Sequence, residues 1–116
     1  MERVPLTETT EAGDGVNLAQ LAAGELMSVQ YFRIDPGAEV PLHDHPHEQA
    51  GFVYAGELTF LDDEGGETVV VAGDSYTIPG DEAHAAENRG DGPVEGVDIF
   101  SPPREDPPWQ ETNPEE

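Results

Sequence analysis

Between residues 17 and 100 the apolar positions fall in short runs rich in β-branched and aromatic residues. Turn signals recur every 8 to 12 residues or so. Residues 27–34 carry Val29, Tyr31, Phe32 and Ile34 and end at Asp35-Pro36-Gly37. Residues 40–45 are short and extended. Residues 49–54 lead into a tight reversal at Ala55-Gly56-Glu57, and in 58–61 Leu58 and Phe60 alternate against Thr59. After a turn at 62–66, the run 68–71 stops at Ala72-Gly73-Asp74, and 75–78 stops at Pro79-Gly80-Asp81. Residues 83–88 and 94–100, separated by Gly90-Asp91-Gly92-Pro93, complete the series. Short strands at this spacing predict an all-β sandwich or barrel. Residues 17–23 fit either a first strand or a helical turn. Residues 1–16 are polar and read as a mobile arm. Residues 101–116 hold five prolines and five acids and read as an extended, partly polyproline-like tail anchored by Arg104 and Trp109.

The length of 116 residues suits one domain. Charge changes the picture more. Twenty-six acids face four arginines and no lysine, for a net charge of -22. Spread over a folded surface of about 6,000 Å², that is one uncompensated charge per ~280 Å². Such self-repulsion opposes compaction at ordinary salt and is screened when the Debye length falls to ~3 Å in molar salt. The composition therefore points to a high-salt cytosol. A polyanion repels phosphate backbones and anionic membrane surfaces, so neither nucleic acid nor membrane is an expected partner. The absence of cysteine excludes disulfides, iron–sulfur clusters, thiolate zinc sites and cysteine nucleophiles. No run approaches the ~20 apolar residues of a membrane span, and residues 1–5 do not open a secretory signal. The expected location is cytoplasmic.

Three of the four histidines, His43, His45 and His47, lie within five residues, and His84 follows much later. Residues two apart on a strand share a face, so His43 and His45 are expected to point together. Gln49, after the interruption at Pro46, offers an inward carbonyl oxygen. Three imidazoles and one oxygen suit one divalent transition metal: Zn, Ni, Mn, Fe or Cu. Glu48 is one residue out of phase and expected to point away. A register slip would make it the ligand, and His47 is a further alternative.

The string Gly37-(x5)-His43-x-His45-(x3)-Gln49-(x6)-Gly56 resembles the first motif of the cupins, with Gln49 where the family usually has Glu. Gly73-(x5)-Pro79-x-Asp81-(x2)-His84-(x3)-Asn88 resembles the second, with Asp81 in place of a glycine. The resemblance implies a small single-domain jelly-roll barrel over residues 17–100, commonly a homodimer, with one metal held by His43, His45, Gln49 and His84. A neutral amide leaves a divalent site near +2, which favours Lewis-acid polarisation of a carboxylate or enolate and weakens metal retention. The turn glycines fall where positive φ is useful, and Asp81 tolerates that region better than most residues.

Residues 41–56 and the segment Asp98-x-Phe100-(x3)-Arg104 are similar to cupins of uronate and pectin breakdown, which convert an unsaturated cyclic sugar acid to its open-chain keto form. By that resemblance Asp98 shuttles protons, Phe100 packs on the sugar ring and Arg104 binds the carboxylate. Physical reasoning supports Arg104 separately, since a strongly negative protein needs local positive charge to hold an anion. Arg104 also has Glu105 and Asp106 beside it as pairing partners. Gly51 departs from the pattern, which places a polar pocket residue there. Tyr54 and Tyr76 are alternative general acids that also read as ordinary barrel residues. An oxygen-dependent dioxygenase and a non-catalytic ligand-binding module are the alternatives to a metal-dependent isomerase or lyase.

Overall fold

The computed structural model describes residues 1–104; Glu105, Asp106 and Trp109 lie outside them. Ten strands run in the order β1 (Thr10–Gly13), β2 (Val16–Ala23), β3 (Ser28–Ile34), β4 (Glu39–His43), β5 (Glu48–Ala55), β6 (Glu57–Asp62), β7 (Glu67–Val71), β8 (Ser75–Ile78), β9 (His84–Glu87) and β10 (Val94–Ser101). They form two antiparallel sheets, one ordered β1-β2-β3-β10-β5-β8 and the other β4-β9-β6-β7. This is the expected all-β jelly roll. No helix among the described residues is long and apolar enough to cross a membrane.

The sheets close on a core of Val16, Leu18, Phe32, Ile34, Val53 and Val94 from the larger sheet, and Leu58, Val70 and Ala86 from the smaller. Period-two alternation puts them there. In β10 Val94, Gly96, Asp98 and Phe100 face inward, and in β5 Gln49, Gly51 and Val53 do. Each inward row therefore runs from an apolar residue, Val53 or Val94, towards a polar one, Gln49 or Asp98, with Phe100 beyond Asp98 in β10. That gradient positions the site: the end with Val53 and Val94 is packed, and the end with Gln49 and Asp98 borders a cavity.

The N-terminal boundary needs correction. Thr10 pairs with Leu18 and Glu11 with Asn17, so sheet pairing begins inside the stretch read as an arm over residues 1–16, and Val16 is buried in the core. The reason is the Asp14-Gly15 reversal. Gly15 takes φ +81°, and a Cβ there would lie 2.9 Å from the Ala38 Cβ. Residues 17–23, left open between strand and helical turn, are strand β2.

The turns hold the barrel's shape as the motif implied. Gly37, Gly56 and Gly73 all have positive φ, and Asp81 sits at φ 68°. Asn88, almost wholly buried, donates to the Ile34 and Gly92 carbonyls and accepts from the Gly90 amide, which fixes the loop between β9 and β10.

Candidate metal site

His43 ends β4 and faces His84, which opens β9; the two are cross-strand partners. His45 stands beyond the end of β4, so it does not share a strand face with His43 as alternation suggested. A register irregularity between Val40 and His43 and the loop after His43 swing it inward instead. The loop is pinned by the Asp81 amide, which donates to the His45 carbonyl at 2.7 Å. One ligand atom from each of His43, His45 and His84 lies within 4.8 Å of the others. Glu48 is exposed on the outer face, and His47 is half-buried and outside this group of three.

Hydrogen bonds assign the tautomers of His43 and His84. His43 Nδ1 lies 2.9 Å from the Pro41 carbonyl, His84 Nδ1 2.9 Å from Glu82's, and His45 Nδ1 3.1 Å from His47's. A carbonyl only accepts, so His43 and His84 donate from Nδ1, and Nε2 is the ring nitrogen each has available as a ligand; His45 has a second acceptor oxygen at its Nε2. Backbone acceptors of this kind orient metal-ligating imidazoles.

His45 Nε2 is 3.1 Å from Gln49 Oε1. Gln49 also hydrogen-bonds Asp98, a carboxylate that only accepts, so its amide nitrogen points there and its oxygen must face His45. A neutral His45 donates to only one of the two oxygens beside its ring, the His47 carbonyl or Gln49 Oε1, both at 3.1 Å, so its other nitrogen faces an oxygen with both lone pairs unrelieved. A proton on His45 would relieve them, but burial, with Arg104 and His84 adding, pushes its pKa below the usual histidine value. Burial lowers His84 likewise. Three imidazoles with ligand atoms within 4.8 Å of one another and an amide oxygen beside them fit a metal cation.

A cavity of about 440 Å³ is lined by His43, Gln49 and His84 together with Tyr76, Asp98, Phe100 and Arg104. Asp98 is buried, and desolvation raises its carboxyl to about 6 against the opposing bonds from Tyr76 and Gln49 and the charge of Arg104. The Tyr76 hydroxyl donates to Asp98 Oδ1 at 2.5 Å. The Phe100 ring packs edge-on to His45 at 5.5 Å between centroids, and the Arg104 guanidinium lies 5.0 Å above it. The Arg104 amide donates to Ser28 Oγ, so the residue is tethered to β3. Burial lowers its pKa and Asp98 opposes that.

The seven residues singled out for the site therefore converge on one region. Tyr76, an alternative general acid that also reads as an ordinary barrel residue, joins them. The signal available was the glycine at 51, which leaves room for it. Tyr54 is half-exposed, and its hydroxyl donates to Glu95 outside the cavity.

Residues 30–100 match the family model described as "Cupin domain". An RmlC-like cupin from Shewanella frigidimarina is 32% identical, with a TM-score of 0.78 over 91% of this chain and 96% of its own. KdgF from Halomonas sp. is 23% identical, with a TM-score of 0.82 over 91% of this chain and 97% of its own. The DMSP lyase DddQ from Ruegeria pomeroyi is 22% identical, with a TM-score of 0.69 over 76% of this chain and 47% of its own. None of the curated proteins matches the chain.

Proposed function

The chain belongs to the cupin family, and from that premise we propose that it holds a divalent transition metal on His43, His45, Gln49 and His84 and opens an unsaturated cyclic uronate to its keto form. The observation that carries this reading is the convergence of His43, His45 and His84 ligand atoms within 4.8 Å of one another, with Gln49 Oε1 3.1 Å from His45 Nε2, beside a cavity lined by a buried acid, Asp98, and a half-buried cation, Arg104. A divalent ion held there supplies Lewis-acid polarisation of the oxygens facing it.

The rest of the work falls to the chain's own side chains. Arg104 binds the ligand carboxylate, and the Phe100 ring beneath it keeps the guanidinium in place. Asp98 moves the proton. The net change is an isomerisation: the anomeric hydroxyl gives up a proton, the ring C–O bond opens, and the enol carbon so released gains a proton. Atoms and electrons balance without an oxidant. A carboxyl raised to about 6 is suited to both halves of that transfer near neutral pH. The metal and Arg104 also provide the positive charge that a chain of net charge -22 needs to attract an anion.

The working state proposed is a homodimer in a high-salt cytoplasm. The outer face of the larger sheet supports the dimer. Val97 lies across from Tyr31 and Phe52, and Ile99 across from Val29 and Ala50. Its Glu95 carboxylate accepts from the Tyr31 and Tyr54 hydroxyls. So apolar a face in a polyanion fits a second copy of itself.

The test is turnover of a monomeric unsaturated uronate in molar KCl with added Zn²⁺, Ni²⁺ or Mn²⁺, followed by loss of the conjugated double bond. Turnover under nitrogen is expected. Oxygen consumption coupled to turnover would overturn the isomerase in favour of a dioxygenase. Binding without turnover would leave a ligand-binding module.

A further inference from the structure

Asp98 pairs with Gly51, and Gly51 pairs with Tyr76, so the three residues stand in one row across β10, β5 and β8. All three face inward. The outer two strands of such a row are about 9.5 Å apart, and a side chain on the middle strand normally separates them. Gly51 has none. Tyr76 leans through the gap and donates to Asp98 at 2.5 Å. A Cβ at position 51 would lie 2.2 Å from Tyr76 Cζ, 2.3 Å from its hydroxyl and 2.5 Å from Asp98 Oδ1. The gap is filled by that hydrogen bond, so the departure at Gly51 has a physical purpose.

Arg104 gives the bond its significance. Its guanidinium is half-buried in the wall of the same cavity as Asp98, yet among the described residues Arg104 forms no salt bridge. Left free, a buried carboxylate facing a half-buried guanidinium across a cavity is drawn into a pair, because attraction strengthens where water is scarce. Such a pair would consume the cation. We propose that Tyr76 is a positioning residue: reaching through the gap at Gly51, it holds Asp98 away from Arg104 and keeps the guanidinium open for a carboxylate-bearing ligand. This rests on the carboxylate-ligand part of the proposed function.

The test uses Tyr76→Phe, which keeps the ring packed at 4.7 Å from Phe60 and removes only the hydroxyl. Two readouts are taken on the full chain in molar KCl. One is the Arg104 side-chain Nε–H resonance, assigned among the four arginines by Arg104→Lys. The other is binding of galacturonate, a saturated uronate that cannot turn over. In Tyr76→Phe the Arg104 resonance shifts to a carboxylate-paired position and galacturonate affinity falls about tenfold. In Tyr76→Phe with Asp98→Asn both return towards wild type, because the competing anion is gone. A merely structural role for Tyr76 would not produce that recovery. An unmoved Arg104 resonance in Tyr76→Phe, or no recovery in the double variant, overturns the proposal. If wild type binds no galacturonate, the uronate reading fails, and the Arg104 resonance alone still decides the role of Tyr76.

Discussion

Replacing Gln49 by glutamate restores the residue usual in the family and should destabilise the metal-free protein. Gln49 Oε1 faces His45 Nε2, and its amide nitrogen donates to buried Asp98. In Gln49→Glu that donor becomes a second carboxylate. The lost bond to a charged acceptor costs about 1.5–3 kcal/mol. The two acids must then share a proton. Asp98 is already raised to about 6 by burial, and a neighbouring carboxylate raises it further. A folded-state pKa raised above the unfolded value means stability that is fully present at low pH and lost as pH rises through the folded value. The deficit relative to wild type should therefore be small near pH 4.5, grow through pH 6 and reach about 3 kcal/mol by pH 7.5. For a domain of this size that lowers Tm by roughly 10–20 °C. Divalent metal should reverse the order, since a carboxylate ligand brings the charge that the amide lacks, and the metal-induced rise in Tm should exceed that of wild type. Thermal unfolding by circular dichroism in molar KCl, with chelator and then with Zn²⁺ or Mn²⁺ across pH 4.5–8, measures both. Wild-type stability of chelated Gln49→Glu at pH 7.5, or a metal-induced rise no larger than that of wild type, would refute the assignment of the Gln49 amide.

Other consequences can be checked on the same material. Arg104→Met should raise KM for an unsaturated uronate by about 10- to 100-fold while metal content stays the same, because it removes a charge-assisted carboxylate contact and spares the histidines; steady-state kinetics with metal analysis reads this. Lowering KCl from molar to 0.1 M should depress Tm by lengthening the Debye length from ~3 to ~10 Å, and a Tm independent of KCl would sever the acidic surface from salt. Light scattering at molar KCl should give twice the 12.5 kDa chain mass, and Phe52→Glu on the exposed sheet face should halve it; a wild-type monomer would remove that face as an interface.

Much of this fold is readable in the chain because one rule, alternation, governs both packing and chemistry. The inward rows of β5 and β10 run from Val53 and Val94 towards Gln49 and Asp98, with Phe100 beyond Asp98. Period two therefore located core and site together. The failures lie where alternation stops. His45 is inward through a loop and an irregular register, a tertiary fact that strand periodicity does not encode. β1 escapes the pattern because Thr10–Gly13 is short and exposed on most positions, and only the Asp14-Gly15 turn marks it. Sequence leaves Tyr76 open between general acid and barrel residue because its partner Asp98 is two strands away, and only the pairing of both with Gly51 brings them together. The meeting of Arg104 and Asp98 in one cavity is equally hidden, since it depends on tertiary placement.

The most direct test of the account is the metal content of the untagged protein, folded in molar KCl without chelator and supplied with divalent ions, measured by mass spectrometry beside His84→Ala. The account predicts one ion per chain in wild type and loss of it in His84→Ala, with β-type circular dichroism kept in both. No ion in wild type after Zn²⁺, Ni²⁺, Mn²⁺, Fe²⁺ and Cu²⁺ have each been supplied, or equal retention in His84→Ala, would contradict it.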